Sequence, residues 1–404
     1  MGSSTKSLKN KNLSAKPSNP LPTSEELNAY PIKQGAQKTL DKEEEIILKQ
    51  VPKEEIRMSN EFDDEFGFEE NTEEEEKSLA LLSDNTAISS LNVAFCAFGQ
   101  GAGKIASEFL QLGFNRTILF NSTTKDKPAS VKDENFVVFP NLDGLGKNVE
   151  LGRKAIAENA SLVENEIRTK LGKFDILFVL AGSGGGTGSS SSVLKETLNR
   201  YTEINGGKIV WVVSTPTKVE ALNNTIKNNS KVLLEDLKDE TFIIIDNERQ
   251  STLVKAGISG FYPKANKQFA SLLHNFLKLS AEKSDISSCD GEDLRKFFAP
   301  KGRIFFGKSL CEPDEKLGNN ISRKSVELSF CPSPAKNADC GVLLQVLNEK
   351  NANDERVAEH INASVSFVGN MCQTLYQGVY IRNEVDGIGS FIGFSGLKDW
   401  NQIL

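Results

Sequence analysis

The chain has 404 residues, enough for two or three domains of ordinary size. Residues 1–78 contain 11 Lys and Arg against 18 Asp and Glu, whereas the remaining residues contain 37 of each. Residues 79–404 therefore have no excess of basic side chains. This balance argues against general binding to nucleic-acid phosphates, which requires basic side chains clustered on one face. We therefore expect contact with nucleic acid only through an adaptor protein.

The sequence gives no sign of a membrane segment or a metal cluster. It lacks a run of roughly 18–20 apolar residues, and its N-terminus is polar and rich in Lys. We expect no direct membrane insertion and a cytoplasmic protein. The six cysteines are scattered without Cys-x-x-Cys pairs, and the chain has two histidines, so we expect reduced thiols and no bound metal cluster.

Residues 1–88 form an arm without periodic apolar stretches. Such a segment buries too little surface to offset its ordering entropy, which predicts disorder. Its acidic run at residues 61–76 has two interpretations, and the first is a solubilising tail. The second is a peptide whose Phe62, Phe66 and Phe68 enter an apolar, basic-edged groove of an adaptor protein.

From Leu91 onward, short apolar runs alternate with amphipathic segments. Continuous apolar runs are typical of strands buried on both faces of a parallel sheet, so the pattern predicts an α/β domain with a mostly parallel sheet covered by helices. The predicted strands are residues 92–98, 117–120, 136–139, 174–180, 208–213 and 241–245. The predicted helices are residues 104–112, 150–171 and 189–201.

The pattern changes near residue 339. An apolar run at 340–346 precedes a predicted helix near 354–363, and further apolar runs follow at 365–369 and 378–382. This alternation is typical of a small α+β domain.

The first glycine-rich segment follows the first predicted strand. Glycines let a backbone approach a phosphate closely, and a following helix directs its free N–H groups at the anion. The spacing matches neither a Walker A loop, which needs GxxxxGK[ST], nor the dinucleotide pattern GxGxxG. The candidate residues are Gly99, Gln100, Gly101, Ala102, Gly103 and Lys104.

A second and longer glycine-rich segment follows the strand predicted at 174–180. Two glycine loops at strand ends imply two sets of backbone amides around one polyphosphate. Thr187 adds a hydroxyl donor, and the serines at 189–192 are expected to cap or line the start of the next helix. The candidate residues are Gly184, Gly185, Gly186, Thr187 and Gly188.

The run Gly-Ser-Gly-Gly-Gly-Thr-Gly at 182–188 resembles the defining glycine box of the tubulin/FtsZ superfamily of filament-forming GTPases. Residues 144–155 are similar to the FtsZ run before that box. The resemblance implies a Rossmann-like GTPase domain at 89–275, a segment at 276–338 with the end of a central helix, the catalytic loop and a connector, an α+β domain at 339–397, and a tail at 398–404. It also implies GTP or GDP as ligand, with Mg²⁺ carried by the nucleotide.

The resemblance nominates residues for the sugar and the base. Glu220 corresponds to the glutamate that binds ribose, and Asn247 to the Asn that reads the guanine edge. Tyr262 and Asn266 resemble the tubulin pair that stacks on the base and bonds to it, and their i, i+4 spacing puts both on one helix face. Asn224 stands where FtsZ has a phosphate-contacting Arg, and we expect Lys104 to supply that charge.

The segment at 288–295 is similar to the FtsZ catalytic loop. Asp290 and Asp293 occupy the two acidic positions, which implies carboxylates that act on the water attacking GTP in the next subunit. Ser288 and Gly291 depart from the family pattern, which leaves the hydrolysis rate open. A solvated acidic turn is the alternative, and it predicts a filament that binds GTP but turns it over poorly.

We expect a GTPase that polymerises head to tail, because a heterologous interface builds open filaments. The divergent loops and the tubulin-like pair Tyr262 and Asn266 resemble the plasmid- and phage-encoded tubulins, which position DNA or phage particles in a bacterium or phage-infected bacterium. A cell-division FtsZ normally carries its long extension after the fold, whereas the arm here precedes it. A cell-division FtsZ ring protein and a non-polymerising GTP-binding regulator remain alternatives.

Overall fold

The computed structural model describes residues 88–311, 320–383, 385 and 387–399. The predictions on residues 1–87 and on most of the tail at 398–404 lie outside this part of the chain. All described residues belong to one compact unit.

The described strands form one ten-stranded sheet, in the order β3-β2-β1-β4-β5-β6-β7-β10-β8-β9. The six strands predicted from apolar runs are all present, with ends shifted by one or two residues. The strands are β1 Val93–Phe98, β2 Thr117–Asn121, β3 Phe136–Val138, β4 Ile176–Gly182, β5 Lys208–Thr215, β6 Thr241–Asp246, β7 Gly302–Cys311, β8 Ala338–Leu347, β9 Cys372–Ile381 and β10 Ile388–Leu397.

Helices cover both faces of the parallel part of the sheet, as the apolar pattern predicts. They are α1 Gln100–Gln111, α2 Val149–Glu158, α3 Ala160–Glu166, α4 Gly186–Ser190, α5 Lys195–Asn205, α6 Asn224–Asp236, α7 Asn247–Leu253, α8 Ile258–Leu279, α9 Gly291–Phe298, α10 Asn320–Glu327, α11 Glu349–Ala352 and α12 Glu355–Gly369.

The seven strands β1 to β7 pair in parallel with one another in the sheet. Strand β10 runs antiparallel to both β7 and β8. The central strand β1 shows why both faces are covered. Its Phe95 packs against Phe109 and Phe178 on one face, while Phe98 stacks on Phe120 on the other. Because alternate side chains point to opposite faces, a strand that is apolar at every position requires a core on each side.

Helix α8 crosses the largest of the three hydrophobic cores in the described part of the chain. Its 22 residues correspond to about 33 Å at the usual helical rise. Phe269 packs edge-on against Phe109, and Phe276 packs against Phe306 of β7, so the helix contacts both the parallel and the antiparallel strands. The core that contains these rings also includes residues of β8 and β10.

Several predicted boundaries are wrong. Helix α1 begins at Gln100 inside the first glycine segment, because glycines are tolerated where the first turn approaches a neighbouring loop. The helix predicted at 150–171 is divided at Asn159 into α2, α3 and a π-helical segment Ile167–Leu171. The run at 365–369 continues helix α12, and β7 and β10 were not predicted. The predicted domain boundaries remain predictions.

Candidate functional site

A cavity of about 490 Å³ lies at the carboxyl ends of strands β1, β4, β5 and β6. In open α/β sheets, ligands bind in the crevice at this edge. Both glycine-rich segments line the cavity, and so do the residues nominated for sugar and base. The predicted residues in the lining are Gly99, Gln100, Gly101, Lys104, Gly184, Gly185, Gly186, Thr187, Gly188, Glu220, Asn247, Tyr262 and Asn266.

Two predicted residues are absent from the lining. Ala102 and Gly103 are buried in the first turns of α1, and a Cβ at position 103 would lie 3.2 Å from Leu119 of β2. These two small residues therefore let helix α1 pack closely on the sheet. The helix period separates them from Gln100, Gly101 and Lys104, which face the cavity.

The first glycine loop turns directly from β1 into helix α1. Gly99 has φ +84°, a conformation that side chains other than glycine rarely adopt. No side chain caps α1, so its first amides are available to an anion at the N-terminus of a 12-residue helix. The positive end of the helix dipole is directed at the cavity, which favours phosphate there.

The second glycine loop packs against the first. A Cβ at Gly99 would lie 3.2 Å from the Gly188 amide nitrogen, and a Cβ at Gly188 would lie 2.2 Å from the Gly182 carbonyl oxygen. The Thr187 hydroxyl is 3.1 Å from the hydroxyl of Ser122. Only residues without a side chain allow this close approach, so the glycines are explained by packing as well as by ligand access.

The serines at 189–192 do not line the cavity. Ser189, Ser190 and Ser191 are buried and donate hydrogen bonds to backbone carbonyls of the second glycine loop. Ser192 donates to the Asp236 carboxylate at 2.6 Å. These hydroxyls hold the loop in place, which differs from the expectation that they cap or line a helix start.

Glu220 and Tyr262 are joined by a hydrogen bond. The Tyr262 hydroxyl donates to Glu220 Oε1 at 2.7 Å, while Thr217 donates to Oε2 through its amide at 2.8 Å and its hydroxyl at 3.1 Å. Burial and then the Glu220 carboxylate raise the pKa of Tyr262 well above its usual value, so the phenol stays protonated and acts as donor.

The other base-site candidates lie close by. Asn247 is the first residue of α7, directly after β6, and is largely buried. The preceding Asp246 caps the helix by accepting from the amides of Glu248 and Arg249. Burial raises the pKa of Asp246 even though these amides oppose the shift. Asn266 lies one helical turn after Tyr262 on α8, as predicted.

Some lining residues were not predicted. Asp126 lies in the loop after β2, and its Oδ1 accepts a hydrogen bond from Gln100 Nε2 at 3.0 Å. Ser122 comes from the same loop, and Ile226 comes from α6. The loop 144–147 also reaches the cavity, and its Gly144 and Gly146 spacing after β3 repeats the strand-then-glycine pattern that would have identified it.

The acidic pair lies at the opposite edge of the sheet. Asp290 caps helix α9 by accepting from the amides of Glu292 and Asp293 at 2.8 and 3.1 Å, and Asp293 accepts from the Asp290 amide at 3.3 Å. Both carboxylates are thus held in a capping box. The same helix pairs Arg295 with Asp175, the residue directly before β4.

The start of the described chain confirms this placement. A Cβ at Gly291 would lie 3.0 Å from the Ser90 carbonyl oxygen, three residues before β1, and Ser90 also bonds to Ser280 just after α8. Strand β1 alone separates the two edges by about 20 Å. Asp290 and Asp293 therefore cannot reach the cavity of their own chain.

No protein-family model matches the chain. It is 26% identical over 239 residues to the cell division protein FtsZ 2 of Methanocaldococcus jannaschii, over 57% of this chain and 60% of that protein. It is 31% identical over 165 residues to the tubulin-like protein CetZ of Methanothrix thermoacetophila, over 39% and 43%. The chain spans about half of the length of the curated relatives it matches.

Solved structures match over more of the chain. TubZ of Bacillus thuringiensis serovar israelensis, in a GTPγS-form protofilament, aligns with a TM-score of 0.67 at 17% identity, over 82% of this chain and 94% of that one. CetZ2 of Haloferax volcanii, in a GTPγS-bound protofilament, aligns with a TM-score of 0.61 at 17% identity, over 76% and 93%. The chain has the fold of the tubulin-like TubZ and CetZ proteins, and its sequence is similar to FtsZ and CetZ proteins.

One cation in the cavity departs from the FtsZ sequence pattern. Lys104 lines the cavity where the family usually has Asn, whereas Asn224, which replaces the FtsZ Arg, begins α6 outside the lining. Lys104 forms no salt bridge with any residue that the structure describes. Among the described residues, no carboxylate therefore competes with an anionic ligand for its ammonium group.

Within the described residues, no helix combines the length and apolar character needed to cross a membrane.

Proposed function

We propose that this chain binds GTP in the cavity and hydrolyses it to GDP and phosphate as subunits polymerise head to tail into filaments. The observation that carries the proposal is the placement of two sites at opposite edges of one sheet. A glycine-lined cavity lies at one edge, and the Asp290–Asp293 pair lies at the other. Stacking subunits in one direction brings each pair to the cavity of its neighbour.

The cavity chemistry supports a nucleoside triphosphate. The amides of the two glycine loops, the Thr187 hydroxyl and the Lys104 ammonium are donors suited to phosphates. The ring of Tyr262 offers a stacking surface, and Asn247 and Asn266 can donate and accept at a base edge. Glu220 can accept from a sugar hydroxyl.

The residues present also suit Mg²⁺ carried with the nucleotide. Asp126 supplies a carboxylate in the lining, and the described chain has no group of three or more His, Cys, Asp or Glu that could hold a metal ion. Mg²⁺ is typically bound through one or two carboxylates, waters and substrate phosphates, where it neutralises phosphate charge. We propose that Asp126 faces this ion, with Gln100 orienting the carboxylate through its 3.0 Å hydrogen bond.

Asp290 and Asp293 are proposed to orient and deprotonate the attacking water in the neighbouring subunit's cavity. A positioned general base contributes about 10²–10⁴-fold to a rate. The capping box fixes both carboxylates before assembly, so docking needs little reorganisation of α9. The solved TubZ and CetZ2 neighbours are protofilaments, which supports this arrangement.

The test is pelleting with GTP combined with phosphate release, comparing wild type with Asp290→Asn and Asp293→Asn. Asn retains an N-cap acceptor, so α9 stays intact while the base is lost. We expect both variants to pellet with GTP and to release phosphate about a hundredfold more slowly.

Glu292→Gln is the matched control, because Glu292 lies between the two acids and pairs with Arg295 and Lys296 at the surface. It should assemble and hydrolyse as wild type does. If Asp290→Asn and Asp293→Asn release phosphate at the wild-type rate, the two carboxylates have no catalytic role. If the protein binds GTP but does not pellet at any concentration, the result supports the alternative of a non-polymerising GTP-binding regulator.

For the cellular role, we propose positioning of DNA or phage particles in the cytoplasm of a bacterial or phage-infected cell. Support comes from the likeness to TubZ of Clostridium botulinum phage c-st, with a TM-score of 0.60 over 77% of this chain. Fluorescence imaging of the labelled chain distinguishes the alternatives. Filaments whose ends coincide with DNA or phage foci support positioning, whereas a ring at the division site supports an FtsZ-type role.

We further propose that the acidic arm binds an adaptor protein that connects filaments to nucleic acid. Residues 1–87 lie outside the described chain, so the proposal rests on the acidic run with Phe62, Phe66 and Phe68. Removal of residues 1–87 should leave GTP-dependent pelleting intact while cargo foci separate from filaments in cells. Cargo that stays with the truncated filaments would contradict the adaptor role.

A further inference from the structure

Three of the four lone-pair positions of the Glu220 carboxylate are already occupied. Thr217 fills both positions on Oε2 with its amide and its hydroxyl, and the Tyr262 hydroxyl fills one position on Oε1. An ionised carboxylate offers about four acceptor positions in total. One acceptor position therefore remains, and it is on Oε1, the oxygen that Tyr262 also contacts.

The two contacts come from different parts of the fold. Thr217 belongs to the loop after β5, three residues before Glu220, while Tyr262 is on helix α8. Without Tyr262, Glu220 would be held from its own loop alone. The neighbouring Val219 and Leu222 are 76% and 81% exposed, so the loop has little packing of its own at these positions. The Tyr262 hydroxyl is thus the contact that fixes Glu220 against the long helix.

We propose that Tyr262 is a positioning residue for sugar recognition: its hydroxyl and Thr217 hold Glu220 so that one acceptor remains for a single ribose hydroxyl. The inference rests on the proposed binding of GTP in this cavity. It adds a role to Tyr262 that differs from stacking on the base, because it depends on the hydroxyl and not on the ring.

Single-hydroxyl recognition has a measurable signature. If Glu220 accepts from one ribose hydroxyl, the monodeoxy analogue that lacks this hydroxyl binds more weakly than GTP. The analogue that lacks the other hydroxyl binds as GTP does. Hydrogen bonds to a charged group are worth enough for a loss on the order of tenfold in affinity. A carboxylate with both oxygens free would instead bind both hydroxyls and discriminate against both analogues.

The experiment measures the dissociation constants of GTP, 2′-deoxyGTP, 3′-deoxyGTP and 2′,3′-dideoxyGTP for the full chain and for Tyr262→Phe. We expect wild type to bind one monodeoxy analogue about tenfold more weakly than GTP. Tyr262→Phe should discriminate less than about threefold, because Glu220 is no longer fixed. The dideoxy analogue should bind both proteins equally, because the Phe ring keeps the stacking surface.

Glu220→Ala is the second variant, and it should lose discrimination to the same degree as Tyr262→Phe. Thermal unfolding of all three proteins establishes that the variants are folded. Full discrimination in Tyr262→Phe overturns the inference, and so does an equal loss for all four nucleotides. Wild type that binds GTP and both monodeoxy analogues equally also overturns it while leaving the proposed function intact. Wild type that binds no GTP contradicts the proposed function itself.

Discussion

Lys104 is the residue whose charge we expect to hold phosphates in this cavity. It lines the cavity, is exposed, and has no salt-bridge partner in the described chain. We predict that Lys104→Gln weakens GTP binding about tenfold, because a charge-assisted hydrogen bond to phosphate is lost. The loss should be smaller for GMP, which carries less phosphate charge. Titration with both nucleotides measures the difference.

Lys264→Gln is the control for this prediction. Lys264 is an exposed cation on α8, close in sequence to Tyr262 but outside the cavity lining. The Lys264→Gln variant should bind GTP as wild type does. Equal GTP affinity in Lys104→Gln and wild type would exclude the lysine as replacement for the missing FtsZ arginine.

The two glycine loops allow a matched pair of substitutions. A Cβ at Gly188 would lie 2.2 Å from the Gly182 carbonyl oxygen, whereas a Cβ at Gly185 meets nothing within 4 Å. We predict that Gly188→Ala lowers the free energy of unfolding by about 1–3 kcal/mol, because the loop must move to admit a methyl group. Gly185→Ala should unfold at the wild-type temperature. Similar thermal midpoints for both variants would contradict the steric explanation.

Residue identity predicted part of the site and not all of it. The glycine loops were predictable, because strand-then-glycine order is a local pattern. Tyr262 and Asn266 were nominated by the resemblance to tubulin, and their i, i+4 spacing agrees with it. Asp126 was not predictable, since an acid in a loop after a strand has no local signature. It becomes a site residue only when pairing of β2 with β1 brings it to Gln100.

Helix α8 carries a buried histidine that makes stability depend on pH. His274 packs edge-on against Phe114, and its Nδ1 has no hydrogen-bond partner among the described residues. Burial, with a smaller effect of Lys278, lowers its pKa to about 4 from the usual 6.5. Below pH 6.5 the unfolded chain therefore binds a proton at this histidine that the folded chain does not bind until about pH 4.

We predict that the free energy of unfolding falls as pH drops from 6.5 to 4, by at most about 3 kcal/mol from this group. Above pH 6.5 His274 is neutral in both the folded and the unfolded chain, so its contribution to the free energy of unfolding no longer changes with pH. His274→Leu should remove this part of the slope, because the apolar side chain takes no proton. Denaturant unfolding of both proteins at several pH values measures the difference. Parallel pH profiles would show that His274 is not the group responsible.

Element types were more predictable than element ends. The apolar runs predicted all six strands β1 to β6, of which the edge strand β3 is only half-buried. The start of α1 at Gln100 was not, because helix propensity disfavours glycine and the close packing of the two loops outweighs it. The acidic segment was expected as a catalytic loop, yet Asp290 and Asp293 also hold the first turn of α9 through their own hydrogen bonds.

The two proposed functional sites lie at opposite ends of the sheet, so one chain cannot bring them together. Local patterns indicated both ends, but their separation follows from sheet order, which no local pattern contains. The cavity lies at the carboxyl ends of the parallel strands, whereas Gly291 packs against Ser90 before β1. Helix α8 runs from Tyr262 in the cavity towards Ser280 beside Ser90, so it is the structural link between the two ends.

This separation predicts complementation between two defective proteins. Asp293→Asn has an intact cavity and a defective acidic pair, whereas a Tyr262→Ala/Asn266→Ala double variant has a defective cavity and an intact pair. Each variant alone should release phosphate from GTP far more slowly than wild type. In an equal mixture, an Asp293→Asn cavity filled with GTP meets the intact acidic pair of the double variant, so phosphate release should rise well above the sum of the separate rates.

Because each junction needs one subunit of each kind in a fixed order, the rate should increase with total concentration more steeply than linearly. A mixture that releases phosphate only at the summed rate would contradict catalysis by the acidic pair in a neighbouring subunit, which the opposite positions of the cavity and the pair lead us to predict.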